Sequence, residues 1–149
     1  ARAIVDLADL AKKHYYHPST KGSVSIKKVL PAVMQSSDFL RDRYSQPIYG
    51  SSALPSLNFR EQIWWQCNEQ GQVLDPYQIL VREGAVDADV ERAEAINQGG
   101  AASYAYLRLQ FEELPAETRQ ALREALLRYC ELDTLAMAFV VQAWLSDCR

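Results

Sequence analysis

The sequence predicts a mainly α-helical domain. A helical pattern runs through most of the last quarter of the chain, and shorter stretches of helical spacing recur before it. The third observation is bulk composition: 149 residues with 48% hydrophobic side chains are enough to bury one core, and nothing in the length demands two domains.

Each element has its own warrant. Residues 3–6 begin with Ala3-Ile4-Val5 and read as a short buried strand or the entry to a helix that Leu7, Leu10 and Ala11 continue. The run His17-Pro18-Ser19-Thr20-Lys21-Gly22-Ser23 is a turn cluster. Ser23 or Ser25 can then cap a short helix bearing Ile26, Val29, Leu30 and Val33, limited or kinked by Pro31. Residues 36–80 lose this regularity. Pro47, Gly50, Pro55, Gly71 and Pro76 interrupt them, and only 58–67 is continuous enough for a helix. That is long for a structureless connection, so the segment reads as an insertion or a functional loop. A helix is expected over 86–97, ended by Gly99-Gly100, and another over 101–111 with Tyr104, Leu107 and Phe111 along one side. The clearest element spans 115–146. Pro115 and Glu117 suit its first turn, and at 1.5 Å per residue it extends on the order of 45 Å.

Charge and cysteine content bound the function. The net charge of -3 lacks the basic excess that a non-specific nucleic-acid binder advertises, so any such contact has to come from a local patch, a metal site or further sequence. Cys67, Cys130 and Cys148 form neither a disulfide framework nor a Cys-x-x-Cys knuckle, which makes a reducing cytoplasm the simplest compartment. No apolar run reaches the roughly 18 residues of a membrane span. The chain opens on Ala1 with no basic-then-apolar leader, as a piece of something longer does.

One residue departs from the pattern. On a helical wheel Leu122, Leu126, Tyr129, Ala136, Met137, Val140 and Trp144 form a stripe, and Asp133 falls in its middle, one turn after Tyr129. Arg123, Glu124, Arg128 and Glu131 lie off the stripe, and beyond Asp133 the helix is apolar nearly all round to Ser146, as a deeply packed helix is. A buried carboxylate must be protonated, paired with a cation or bound to a metal. The bland reading is a structural Asp; the functional one is a metal ligand whose attacking water is oriented by a phenol one turn away.

Other groups carry less. His14 and His17 stand three apart without a carboxylate or cysteine cluster to complete a metal shell, and read as a solvated pair near a turn. Lys27 and Lys28, with Lys21 nearby, can contact phosphates from a helix start, against the plainer reading of an exposed polar face. Arg41, Arg43, Tyr44, Tyr49, Phe59, Arg60, Trp64 and Trp65 interleave as base-stacking surfaces do, but more often such residues build a small core that pins a loop. Cys130 has no histidine partner and reads as a small core residue.

The string Leu126-Leu127-Arg128-Tyr129-Cys130-Glu131-Leu132-Asp133-Thr134-Leu135-Ala136-Met137 is more specific than its Tyr-x-x-x-Asp alone. With Gly22-Ser23-Val24-Ser25-Ile26-Lys27-Lys28-Val29-Leu30-Pro31, the Asp75-Pro76-Tyr77 loop and Gly99-Gly100-Ala101 leading to Ala105-Tyr106, it resembles the bacterial family known as domain of unknown function 2779, over almost the whole chain. That family is similar to the C-terminal half of the tyrosine-branch DEDD exonucleases, which have a ribonuclease-H-like fold and hydrolyse nucleic acid from the 3′ end with two divalent metals. The resemblance implies an α/β ribonuclease-H-like domain with most of its sheet upstream, Mg²⁺ or Mn²⁺ as cofactor and DNA or RNA as partner. Asp133 is then a metal ligand and Tyr129 the residue that positions water. An upstream nuclease-associated domain in the same polypeptide is implied as well.

Three of the four carboxylates of such a site are expected to be missing. Nothing ahead of the Ile4-Val5-Asp6 segment supplies the Asp-x-Glu of the first motif or the Asp of the second, and Asp6 resembles a position without a catalytic role. One carboxylate does not hold two magnesium ions. The chain is therefore expected to be inactive alone. The rival reading is a helical, non-catalytic nucleic-acid- or protein-binding module in which Tyr129 and Asp133 are structural.

Overall fold

The computed structural model describes residues 4–82 and 101–148; the helix expected over 86–97 and its Gly99-Gly100 stop lie outside them. The architecture is mainly α, with six α-helices and no β-strand among the described residues. α1 is Leu7–His14, α2 Ile26–Ser36, α3 Asp38–Tyr44, α4 Pro76–Arg82, α5 Ala101–Phe111 and α6 Ala116–Asp147. None is long and apolar enough to cross a membrane.

Of the two readings of this stretch, strand or helix entry, residues 4–6 show the helix entry. Asp6 is the N-cap of α1, its carboxylate accepting from the Ala8 and Asp9 amides at 2.8 and 3.3 Å, while Ile4 is 99% exposed and Val5 is exposed too. A carboxylate at the positive end of a helix satisfies amides that a strand would leave to a neighbour. The turn cluster holds a single 3₁₀ turn, Pro18–Thr20, with Thr20 buried and Lys21 in the left-handed region.

α2 buries Val29, Leu30, Ala32, Val33 and Met34. Ser25 occupies its N-cap position without a side-chain cap bond, and Pro31 sits inside the helix. Proline there withholds one amide from the helix ladder. α2 nonetheless runs to Ser36, fixed by the packing of its buried face against α6.

The 36–80 segment corrects the sequence reading most. Its helix is not at 58–67 but at α3, capped by the Ser37 hydroxyl, which accepts from the Leu40 amide at 3.3 Å. Residues 58–67 are extended and irregular: Gln62 pairs with Tyr49, Cys67 with Val73, and the Trp64 and Trp65 amides both donate to the Tyr44 carbonyl at 3.0 and 2.9 Å. Gly50 has φ +83°, and a Cβ there would stand 2.4 Å from the Phe59 carbonyl oxygen, so only glycine permits this crossing. The segment is built into the core: Leu40, Tyr44 and Trp64 are among the most deeply buried side chains.

α6 is the axis around which the rest is arranged. Its 32 residues match the expected helix to within a residue at each end. Leu132, Ala136, Phe139 and Val140 pack against α2 and α3, Phe139 meeting Tyr44 edge-on with ring centroids 4.4 Å apart. Near its start α6 packs against α5, where Arg119 donates to the Leu109 and Glu112 carbonyls at 2.6 and 3.1 Å and closes the end of α5. The expected apolar side of α5 is largely solvent-facing: Tyr104, Leu107 and Phe111 are all exposed, and Ala105 is the residue buried against Leu122.

The buried stripe of α6 is turned relative to the expected one. It centres on Leu132 and Phe139, leaving Asp133 half-buried at its border and Met137 47% exposed. Nor is the helix sealed beyond Asp133, because Val141 and Leu145 are also exposed. With apolar residues on several sides, the wheel alone does not say which side meets α2 and α3.

Candidate functional site

Asp133 and Tyr129 share a face of α6, one turn apart, where α2 and α4 approach it. From α4 comes Tyr77, whose hydroxyl donates to Asp133 Oδ1 at 2.6 Å. Its ring lies against that of Tyr129, centroids 5.8 Å apart and tilted 52°. From α2 comes Lys27, with its Nζ 5.1 Å from the Tyr129 ring centroid and 5.3 Å from that of Tyr77. An ammonium this close to two aromatic rings is attracted by both π faces. Tyr129 and Tyr77 are buried, whereas Asp133 and Lys27 are half-buried, so the group opens to solvent on its charged side.

The electrostatics keep the Tyr77 phenol protonated. Burial raises its pKa well above the ordinary 10.0, and the hydrogen bond and negative charge of Asp133 raise it further. Tyr77 is thus a fixed neutral donor. The short helix that carries it starts with proline, and Asp75 Oδ1 accepts from the Tyr77 amide at 3.0 Å. That Asp-Pro start was a local signal for a helix. Nothing local told which side chain would reach Asp133.

The structure brings together three of the four sequence-predicted site residues, Lys27, Tyr129 and Asp133, and adds Tyr77. Lys28 is exposed and outside this group. Cys130, expected in the core, is exposed, on the side of α6 that adjoins Ala102, Ser103 and Leu107 of α5; desolvation and then the Asp133 charge raise its thiol pKa. His14 is exposed, and the His17 ring is used locally, its Nδ1 2.7 Å from Ser19 Oγ. In the middle segment Tyr49, Phe59 and Trp64 are buried against one another, with Phe59 and Trp64 centroids 5.0 Å apart. Their faces are occupied by neighbours. Arg41, by contrast, is engaged by Asp38 at the surface.

A second carboxylate on α6 has a different task. Glu131 accepts from Tyr49 Oη at 2.6 Å, Ser56 Oγ at 2.5 Å and Asn58 Nδ2 at 2.6 Å, tying the irregular segment to the helix. Burial alone would raise its pKa, but the three donors outweigh it and leave the value below the ordinary 4.5.

No group of three or more His, Cys, Asp or Glu placed to hold a metal ion exists among the described residues. Among the described residues this face offers a single carboxylate, Asp133, half-buried and hydrogen-bonded by the Tyr77 phenol, with an ammonium nearby, which is too few oxygen ligands for a divalent cation. The sequence does contain one Asp-x-Glu tripeptide, Asp89-Val90-Glu91, but it follows Asp6 instead of preceding it and lies outside the described residues. Comparison with protein-family models, curated proteins and solved structures finds no match for this chain.

The contacts of Asp133 set an expectation for its removal. Asp133→Asn keeps an acceptor for Tyr77 and changes no arginine pair among the described residues, so stability should shift by less than about 1.5 kcal/mol in either direction. Urea denaturation near neutral pH without divalent ions reads this. A loss above about 3 kcal/mol would instead mark Asp133 as half of a buried ion pair.

Proposed function

We propose that this chain is the third-motif half of a metal-dependent 3′–5′ exonuclease-like module, a ribonuclease-H-like α/β fold whose sheet comes from other sequence. The observation that carries the reading is the convergence of Tyr129, Asp133 and Lys27 on one partly open face. Asp133 would hold Mg²⁺ or Mn²⁺ together with carboxylates supplied from outside the described residues. The bound metal supplies activation of water and stabilisation of charge on phosphate. Tyr129 orients the attacking water and the Lys27 ammonium attracts the phosphate backbone of DNA or RNA. Such a module works in the cytoplasm, in keeping with three free cysteines. The absence of a three-residue metal cluster among the described residues favours a second reading, a non-catalytic helical module that binds nucleic acid or protein.

A nuclease assay on a 3′-labelled single-stranded oligonucleotide separates the two. The 149-residue chain should show no digestion with Mg²⁺ or Mn²⁺, because one motif carboxylate stands where bridged metals need several. The full-length polypeptide that contains this sequence should digest it, and Asp133→Asn there should slow digestion by about 10²–10³-fold, the scale of removing one group that stabilises charge at a reacting centre. An inactive full-length polypeptide, or one indifferent to Asp133→Asn, would overturn the exonuclease reading. Digestion by the 149 residues alone that vanishes in Asp133→Asn would show that they are a complete enzyme.

A further inference from the structure

We infer that the cleft between the ends of α1 and α6 is a binding site for a small organic cation, an ammonium group carried on an apolar body. Leu10, His14, Tyr15, Trp144, Asp147 and Cys148 line it, and its volume is about 380 Å³. That size suits a small-molecule site, which is mostly apolar with a few placed polar groups. At 1.5 Å per residue Asp147 lies about 21 Å beyond Asp133 along α6, so the cleft is separate from the Asp133 face. The plainer reading is a hollow left where two helices end, with Tyr15 and Trp144 as core residues that reach the surface.

Three features converge on a cation. The first is the aromatic lining: Tyr15 and Trp144 are half-buried, with ring centroids 5.4 Å apart and planes tilted by 38°. The Tyr15 hydroxyl and the Trp144 indole N–H are themselves buried, so these residues present ring surface to the cleft. Aromatic rings attract ammonium groups, indole most strongly. The second feature is the exposed Asp147 carboxylate at the rim. Burial raises the Tyr15 pKa against a lowering contact with Ser36, and the nearby Asp147 charge adds to the rise. The third is the end of α6, which has no basic residue in its last turn, whereas Lys12, Lys13 and His14 already offset the end of α1. A helix C-terminus carries partial negative charge, and here a ligand is left to meet it. An anion is repelled by the carboxylate and the helix end, and a neutral molecule gains little from either. One carboxylate beside two rings suits a monovalent ammonium, which needs no shell of oxygen ligands as a divalent metal does.

Three probes of similar shape, 2-phenylethylammonium, 2-phenylethanol and 3-phenylpropionate, test the inference when each is titrated into the isotope-labelled 149-residue chain and followed by magnetic resonance. The amide signals of His14, Tyr15 and Asp147 and the indole signal of Trp144 should shift saturably with the ammonium. It should bind about tenfold more tightly than the alcohol, the combined scale of one exposed cation-π contact and one exposed ion pair, and the carboxylate should bind least. Asp147→Asn should cut the preference over the alcohol to about threefold, the part left to the rings. Asp147→Lys should reverse the order, so that 3-phenylpropionate binds better than the ammonium. Both substitutions fall at an exposed position, and unchanged amide signals of Tyr44 and Phe139 in the core establish that the variants fold. Equal binding of ammonium and alcohol to the unmodified chain, or a preference undiminished in both variants, overturns the recognition of a cation. No saturable shift at these residues overturns the site itself.

Discussion

Trp64→Ala is expected to destabilise the domain by about 3–5 kcal/mol, the range for truncating a large aromatic side chain in a packed core. Trp64 is 0% exposed although it belongs to a stretch with no regular secondary structure. Phe59 and Tyr49 meet its ring at centroid distances of 5.0 and 6.0 Å, and its amide is bonded to Tyr44. Removing the indole empties the space between the segment and the helices, and the surroundings close it only in part. Trp64→Phe is the informative control. It fills most of the space and removes an indole N–H that has no hydrogen-bond partner among the described residues, so its loss should stay below about 1.5 kcal/mol. Urea denaturation followed by circular dichroism measures both. A loss below about 1 kcal/mol for Trp64→Ala would mean that the segment is peripheral to the cooperative core.

Glu131→Ala is expected to cost about 2–4 kcal/mol near neutral pH. The substitution leaves Tyr49, Ser56 and Asn58 without their shared acceptor, and hydrogen bonds to a charged group are the stronger kind. Partial exposure of the carboxylate to water keeps the figure well below the sum of three such bonds. The sign of the pH dependence follows from the lowered pKa. The folded protein binds this proton less readily than the unfolded chain does. The stabilising contribution is therefore complete above the ordinary value of 4.5 and is lost as pH falls through the lower folded value. The difference between the unmodified chain and Glu131→Ala should narrow when denaturation is repeated at about pH 3. A difference that stays constant between the two pH values would show that the Glu131 charge is not what holds the segment.

These two residues show where the sequence was legible. The limits of α6 could be read because its pattern is long and its start carries Pro115 and Glu117. The helical spacing of α2 was equally plain, and so was a helix over 101–111. α3 was not, since seven residues with two buried side chains, Leu40 and Tyr44, make too short a period to stand out from an irregular stretch. The misplaced helix at 58–67 has a related cause: Phe59, Ile63, Trp64 and Cys67 imitate helical spacing, but Gln62, Trp64 and Cys67 take backbone partners outside the stretch, Tyr49, Tyr44 and Val73. Glu131 was read as an off-stripe charge for the same reason. Its three donors lie 73 to 82 residues away.

By itself, the sequence determined that the chain is mainly helical, where α2 and α6 lie, and that Tyr129 and Asp133 share one face, because spacing along a helix is a local property of the chain. Only the tertiary structure decided which side of α6 is buried, that Asp133 stands at the border of that side, and that Tyr77 and Lys27 complete its surroundings. The physical reason is that burial and hydrogen-bond partners belong to the packing of separate elements. Helical periodicity places residues on a face, and the helices and loops packed against that face decide whether a carboxylate there meets water, a phenol or a core.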